Sequence, residues 1–159
     1  MNIMIVGDDH GYDVFKVAYD DAIKRFKNVD MLIHTGDSEC FNYDYYKNIC
    51  NCQVHMVRGN NDFSQIPKEC IIDIEDTKIF VTHGHRYRVY SDIQTIVYAA
   101  QERKANIVVF GHTHHALYQK GTDIELINPG SLSGIRSFVK SYAMLIIDNG
   151  VSKVQIVNF

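Results

Sequence analysis

Short apolar runs, each broken off by a small polar cluster, recur along the chain and predict most of its elements. Residues 2–6 (NIMIV) form a buried strand, and Gly7-Asp8-Asp9-His10-Gly11 follows as a tight loop. Phe15, Ala18, Ala22 and Phe26 then fall on one helical face, with Lys24, Arg25 and Lys27 placed to suit the helix dipole at its end. A second run, Met31-Leu32-Ile33, stops at His34-Thr35-Gly36-Asp37, and residues 41–49 predict a second helix. A third strand over 54–57 runs into Arg58-Gly59-Asn60-Asn61-Asp62. Strand, loop and helix in repetition imply a parallel sheet whose polar clusters share the edge formed by the strands' C-terminal ends.

The second half has a different rhythm. Residues 70–74 and 78–81 predict strands of a hairpin turned at Glu75-Asp76-Thr77, and Thr82-His83-Gly84-His85 closes it. Ser91 with Gln94 reads as a capping box before a helix that buries Ile93, Ile96, Val97 and Ala100. Residues 107–110 form another buried strand, ending in Gly111-His112-Thr113-His114-His115. Strands near 116–119, 124–127, 142–147 and 151–157 follow, the last two joined at Asp148-Asn149-Gly150. The expected architecture is α/β, a two-sheet β-sandwich flanked by helices, as one domain over residues 1–159.

Composition narrows the function classes. A hydrophobic fraction of 46% fits a globular core, and no apolar run approaches the roughly 18 residues of a membrane span. The opening MNIMIVGDDHG is unlike a secretory leader, so a cytoplasmic location is expected. A formal charge of −3 without a Lys/Arg block argues against a dedicated nucleic-acid surface. Cys40, Cys50, Cys52 and Cys70 make no pair of CxxC knuckles and are expected as reduced thiols in or near the core. The tyrosines, Tyr43, Tyr45 and Tyr46 among them, are expected to pack helices and not to stack bases.

The chemistry lies in the clusters themselves: Asp8-x-His10, Gly36-Asp37, Gly59-Asn60-Asn61-Asp62, His83-Gly84-His85 and Gly111-His112-Thr113-His114. Carboxylate, imidazole and Asn carbonyl are ligands for divalent ions such as Mn, Fe, Zn and Ni. Residues at i and i+2 of an extended segment share a face, so Asp8 with His10 and His112 with His114 can each enter one cleft. One such cluster is a common accident; the whole set, each member after an apolar run, points to a metal site.

This ordered set, DxH, GD, GNxD, HGH and GHTH, resembles the calcineurin-like metallophosphoesterases, and the short uncapped chain is most similar to their YfcE-type phosphodiesterase branch. The likeness extends from Asp8 to Asn128-Pro129-Gly130-Ser131. It implies two divalent metal ions, Mn as first expectation, with Asp8, His10 and His114 on the first, Asn60, His83 and His112 on the second, and Asp37 bridging. It also implies hydrolysis of a small phosphorylated substrate, a phosphodiester, by a metal-bridging hydroxide attacking phosphorus in line. Asp37, Asn60 and His85 are the expected catalytic residues, His85 standing at the rim to donate to a phosphate oxygen. Asp62 is expected to orient the loop; Arg58, Arg86 and Arg88 are candidate phosphate contacts; His115, His34 and His55 have no assigned partner.

Two departures from the family pattern stand out. Asp9 occupies a position often filled by a small hydroxyl residue, and it would add negative charge if turned to the metals. Asn61 stands where many relatives have a His serving as general acid, so basic leaving groups should be poor substrates. The competing reading is a metal-binding interaction scaffold, as the same fold serves in the retromer complex. Intact ligands in every cluster favour catalysis.

Overall fold

The computed structural model describes residues 1–63 and 65–159. Its strands are β1 (Asn2–Val6), β2 (Met31–His34), β3 (Gln53–Met56), β4 (Glu69–Ile74), β5 (Thr77–Thr82), β6 (Ile107–Val109), β7 (Leu117–Lys120), β8 (Glu125–Asn128), β9 (Ser141–Asp148) and β10 (Val151–Asn158). Its helices are α1 (Phe15–Phe26), α2 (Tyr43–Ile49) and α3 (Gln94–Glu102), with a 3-10 turn over His85–Tyr87.

Two mixed sheets result, ordered β10-β9-β1-β2-β3 and β4-β5-β6-β8-β7. β1, β2 and β3 run parallel, as do β5, β6 and β8, while β9, β10, β4 and β7 pair antiparallel. Apolar residues on both faces explain why the central strands read as unbroken hydrophobic runs. Ile3 and Ile5 face the other sheet, meeting a core that includes Ile33, Val81, Val109 and Ile127. Met4 and Val6, one residue out of step, face α1 and α2 through Phe15, Ala18 and Tyr46. On the far side Phe80, Val108 and Phe110 pack against Ile96 and Ala100 of α3. The expected sandwich with helices outside is therefore present. The parallel strands bring the C-terminal ends of β1, β2, β3, β5 and β6, and the loops that follow them, to one rim.

Most strand ends shift by about a residue, and two helix starts differ for a physical reason. The second helix starts at Tyr43, not at 41, because Asn42 Oδ1 accepts the Tyr45 N–H at 3.0 Å and caps it; Phe41 instead stacks on Tyr45, ring centroids 4.2 Å apart. The Ser91–Gln94 capping box does not form. Arg88 adopts a left-handed conformation, φ 53°, and the turn it makes takes up the Ser91 N–H at 2.8 Å. The helix begins only at Gln94, whose N–H goes to Asp92 Oδ1 at 2.9 Å. All the cysteines are free thiols; Cys50 and Cys52 are buried and Cys70 partly so, but Cys40 is exposed and not in or near the core as expected. Tyr45 and Tyr46 pack with Phe15 and Phe41 around α2, also as expected. Among the described residues no helix is long and apolar enough to cross a membrane.

Ile5 lies between the sheets with 0% exposure, whereas Val17 on α1 is 61% exposed. Ile5→Ala is expected to cost about 2–5 kcal/mol through lost transfer energy and a residual cavity. Val17→Ala should change stability by less than about 0.5 kcal/mol. Urea unfolding of the two variants measures the difference.

Candidate metal centre

Forming this rim strains the backbone. Asp8, His10, Asp37, His112 and His114 all have left-handed φ, of 54°, 48°, 57°, 70° and 61°. Asp and His tolerate that region better than branched residues, yet each such residue costs on the order of 1–3 kcal/mol. Inter-loop hydrogen bonds hold it in place: Asp8 N–H to Gly36 O at 3.0 Å, His10 N–H to Asp37 O at 3.0 Å, and Gly111 N–H to His83 O at 3.1 Å. The loops touch so closely that a Cβ on Gly36 would lie 2.5 Å from Gly59 N, and one on Gly59 would lie 2.0 Å from Asp37 Oδ1. Side chains at i and i+2 therefore converge here through left-handed turns past the strand ends, and not through extended-strand alternation.

Asp8, His10 and His114 form one group whose ligand atoms lie within 4.8 Å of one another; Asp37, His83 and His112 form another by the same measure. Asn60 joins the second group, its Oδ1 3.2 Å from His83 Nε2. Asp37 Oδ2 faces both, 3.8 Å from His10 Nε2 and 3.4 Å from His83 Nε2. The structure thus brings every predicted ligand to one place.

Hydrogen bonds behind the rings decide which nitrogens carry protons. His10 Nδ1 lies 2.7 Å from the Glu39 carboxylate, His83 Nδ1 2.8 Å from Thr35 O, and His114 Nδ1 2.8 Å from Ile135 O. Each Nδ1 must donate to its acceptor, so in the neutral ring Nε2 presents a lone pair to the centre. His10 Nε2 and His114 Nε2 then face each other at 3.2 Å, and the buried Asp8 Oδ1, 3.3 Å from His114 Nε2, has no hydrogen-bond partner among the described residues. His83 Nε2 likewise meets two acceptors, Asn60 Oδ1 and Asp37 Oδ2. Lone pairs crowded in this way repel unless a positive charge lies between them. Oxygen and nitrogen donors are also the set that divalent first-row ions take, so these residues fit metal ions.

The charges respond to the same crowding. Burial opposes ionisation of Asp37, but His83, the Asn61 N–H and His10 hold its carboxyl well below the usual range. Burial opposes charge on His83 and His114, and the neighbouring carboxylates overcome it, raising both. His112 goes the other way: burial and nearby His83 lower it to about 4, keeping it neutral.

A further layer holds the loops. Asp62 accepts from the N–H groups of Asp37, Gly59 and Glu39 at 2.8, 2.8 and 2.7 Å and from the Ser38 hydroxyl at 3.1 Å. The orienting role expected of it is what these contacts describe. Asn61 donates both backbone N–H and side-chain amide to Asp37, each at 2.8 Å. Asp9 turns to neither the centre nor solvent: it is fully buried, accepts the Tyr46 hydroxyl and lies 3.4 Å from His34 Nε2. His34 Nδ1 accepts the Gly36 N–H at 3.0 Å, so Nε2 is the donor to Asp9. Burial and the Asp9 charge push the Tyr46 phenol well above its ordinary value.

His85 is half-buried, its Nδ1 without a partner among the described residues and its ring centroid 5.3 Å from that of His83. Burial and the His83 charge lower its pKa, and Arg86 and Lys68 add to the effect. Arg58 and Arg86 line a shallow cleft beside Asn60 and His85, while Arg88, exposed past the 3-10 turn, does not. His115 is exposed, and His55 sits half-buried in β3 with Nε2 unpartnered among the described residues. Glu39, Tyr46 and Lys68 were not visible as site residues in the sequence. Nor were the carbonyls of Thr35 and Ile135, or Tyr90, whose hydroxyl donates to His112 O at 2.9 Å. An acid two residues after Asp37 was the only local hint of any of them.

Comparison with known proteins bears on this geometry. Residues 1–150 match the calcineurin-like phosphoesterase superfamily domain. The probable metallophosphoesterase YsnB of Bacillus subtilis is 32% identical over 158 residues, 98% of this chain and 89% of that one. A phosphodiesterase of Methanocaldococcus jannaschii is 30% identical over 165 residues, 91% of this chain and 92% of that one. The structure of a Vps29 variant from Entamoeba histolytica superposes with a TM-score of 0.80 at 24% identity, covering 100% of this chain and 99% of the other; that likeness concerns the fold alone.

Asp62→Ala would leave buried backbone N–H groups without an acceptor. A loss on the order of 3 kcal/mol in the metal-free protein is expected, read by denaturant unfolding.

Proposed function

The chain belongs to the calcineurin-like phosphoesterase superfamily, and from that premise we propose that it is a metal-dependent phosphodiesterase. The observation that carries this reading is the pair of convergent lone-pair groups with Asp37 Oδ2 turned to both. Asp8, His10 and His114 would hold one ion, Asn60, His83 and His112 the other, and Asp37 would be shared. Mn is the first choice for this donor set, with Fe, Zn and Ni next. Two bound ions would supply an activated water near neutral pH and offset charge on the phosphoryl oxygens.

The chain's own residues set the rest. Asp37, ionised and fixed by Asn61, offers a carboxylate between the groups at a constant position. Asn61 spends its amide on that carboxylate and has no proton to give a leaving group. His85, half-buried on the cleft beside Asn60, would donate to a phosphate oxygen. Without an acid at position 61, diesters with good leaving groups are favoured over alkyl monoesters. Free thiols agree with a reducing, cytoplasmic setting. The scaffold alternative has the fold in its favour, but docking a partner gives no reason to crowd lone pairs at two strained, glycine-packed groups.

Asp37→Ala should lose more than one equivalent of metal and all hydrolysis. Elemental analysis after Mn loading checks this, and full two-ion occupancy would sink the shared-ligand assignment. Activity itself is tested with Mn-loaded protein on chromogenic diesters and monoesters of graded leaving-group pKa. Wild type should favour diesters and slow steeply with poorer leaving groups. Asn61→His, with metal content matched, should flatten that slope, general acid catalysis being worth typically 10²–10⁴-fold. Equal slopes would show that position 61 does not set the preference.

A further inference from the structure

The cleft beside Asn60 and His85 measures about 340 Å³ and carries Arg58, Lys68 and Arg86 on its wall. In a chain whose formal charge is −3, cations gathered on one wall require an explanation. Asp62 is the one carboxylate lining the cleft among the described residues. Its oxygens are turned to the N–H groups of Asp37, Gly59 and Glu39 and to the Ser38 hydroxyl, so it faces the loops, and its single charge offsets only one of the cations Arg58, Lys68 and Arg86. Glu69 lies nearby, 3.5 Å from Arg86, but it also accepts the Tyr87 hydroxyl at 2.7 Å and Arg103 at 2.9 Å. The Arg86 side chain is 51% exposed and uses little of a guanidinium's donor capacity on that long contact. Lys68 is exposed, and both it and Arg86 act electrostatically on the His85 ring. The cationic wall and the candidate metal centre therefore adjoin through Asn60 and His85, which border both.

A phosphodiester has a single negative charge, on the phosphorus that the metal centre would face. Cations to one side of that centre have no use for it; they suit a second anionic group on the same molecule. We propose that the Arg58–Lys68–Arg86 cleft is a second-phosphate subsite, and that the substrate is a phosphodiester bearing a further phosphate. This inference rests on the phosphodiesterase reading and deepens it. Lys68 and Arg86, at the surface, receive the distal phosphate; Arg58, half-buried behind them, contributes field more than contact. The expected result is selection among diesters by their extra charge, in an otherwise open and shallow site.

The test uses two chromogenic esters that differ only in the second phosphate: thymidine 5′-(4-nitrophenyl phosphate) and its 3′-phosphorylated form. Mn-loaded wild type should show kcat/KM at least about tenfold higher for the 3′-phosphorylated ester. In Lys68→Ala/Arg86→Ala the ratio should fall toward one. Calorimetric titration with thymidine 3′,5′-bisphosphate and thymidine 5′-monophosphate gives a second readout, on Mn-loaded and on chelator-treated protein. The bisphosphate should bind wild type about tenfold more tightly in both states, and the gap should close in the double variant. Equal ratios in wild type, or a gap that survives the double substitution, would overturn the subsite. If neither ester is cleaved while the bisphosphate gap appears and closes as stated, the subsite stands and the phosphodiesterase reading falls. Melting temperature verifies folding, and Lys68→Gln alone, expected to narrow the ratio partway, serves if the double variant does not fold.

Discussion

At the centre of this protein, His10, His83 and His114 each give one ring proton to an acceptor behind them, so that in the neutral ring the opposite nitrogen faces inward as a lone pair. The other inward groups are the Asp8 and Asp37 carboxylates, the Asn60 amide oxygen and the neutral His112 ring. Repulsion of this kind is relieved by positive charge, either a proton on His83 or His114, whose pKa values the neighbouring carboxylates raise, or a cation between the groups. Holding it in place before any cation arrives accounts for the other unusual features: left-handed ligand residues, glycines pressed against neighbouring loops, and a buried Asp62 that ties three backbone N–H groups together. The strain is local, and the two-sheet core supplies the rigidity that sustains it.

Asp9 shows how far the core reaches into the centre. A buried carboxylate costs several kcal/mol unless it is well hydrogen-bonded; here Tyr46 and His34 both turn to Asp9 Oδ2, while Oδ1, 3.4 Å from His34 Nε2, has no hydrogen-bond partner among the described residues. Tyr46 belongs to the packed face of α2 and His34 to the end of β2, so the loop bearing Asp8 and His10 is anchored to two elements it does not adjoin in sequence. His34 also accepts the Gly36 N–H, which extends the same network to the loop that presents Asp37. The positions of the inward-facing groups follow from helix packing as much as from the strand ends.

Much of this was legible before the fold was known. Unbroken apolar runs at 3–6, 31–33 and 107–110 marked strands buried on both faces, and the polar clusters after them marked the rim. Element starts were less legible where local signals competed. Ser91 and Gln94 matched a capping pattern, but a left-handed Arg88 diverted the chain into a turn first. Asp9 was ambiguous for a similar reason: nothing adjacent says whether a carboxylate in a loop meets a metal, solvent or a tyrosine on a distant helix.

The sequence by itself determined the residue types at the rim, their order, and the strand ends that deliver them, because side-chain chemistry and hydrophobic runs are written locally. How those residues divide is not written in local chemistry or spacing: the family resemblance implied a division, and the tertiary structure brings it about. His112 and His114, two positions apart, went to different groups, while Asp8 joined His114 from the far end of the chain. Of two carboxylates near the first group, Glu39 went to His10 and Asp9 into the core. The deciding partners were backbone carbonyls of Thr35 and Ile135, left-handed dihedrals, and a tyrosine across a helix interface. A carbonyl is present at every residue, so only the approach of distant segments selects the one that orients a ring.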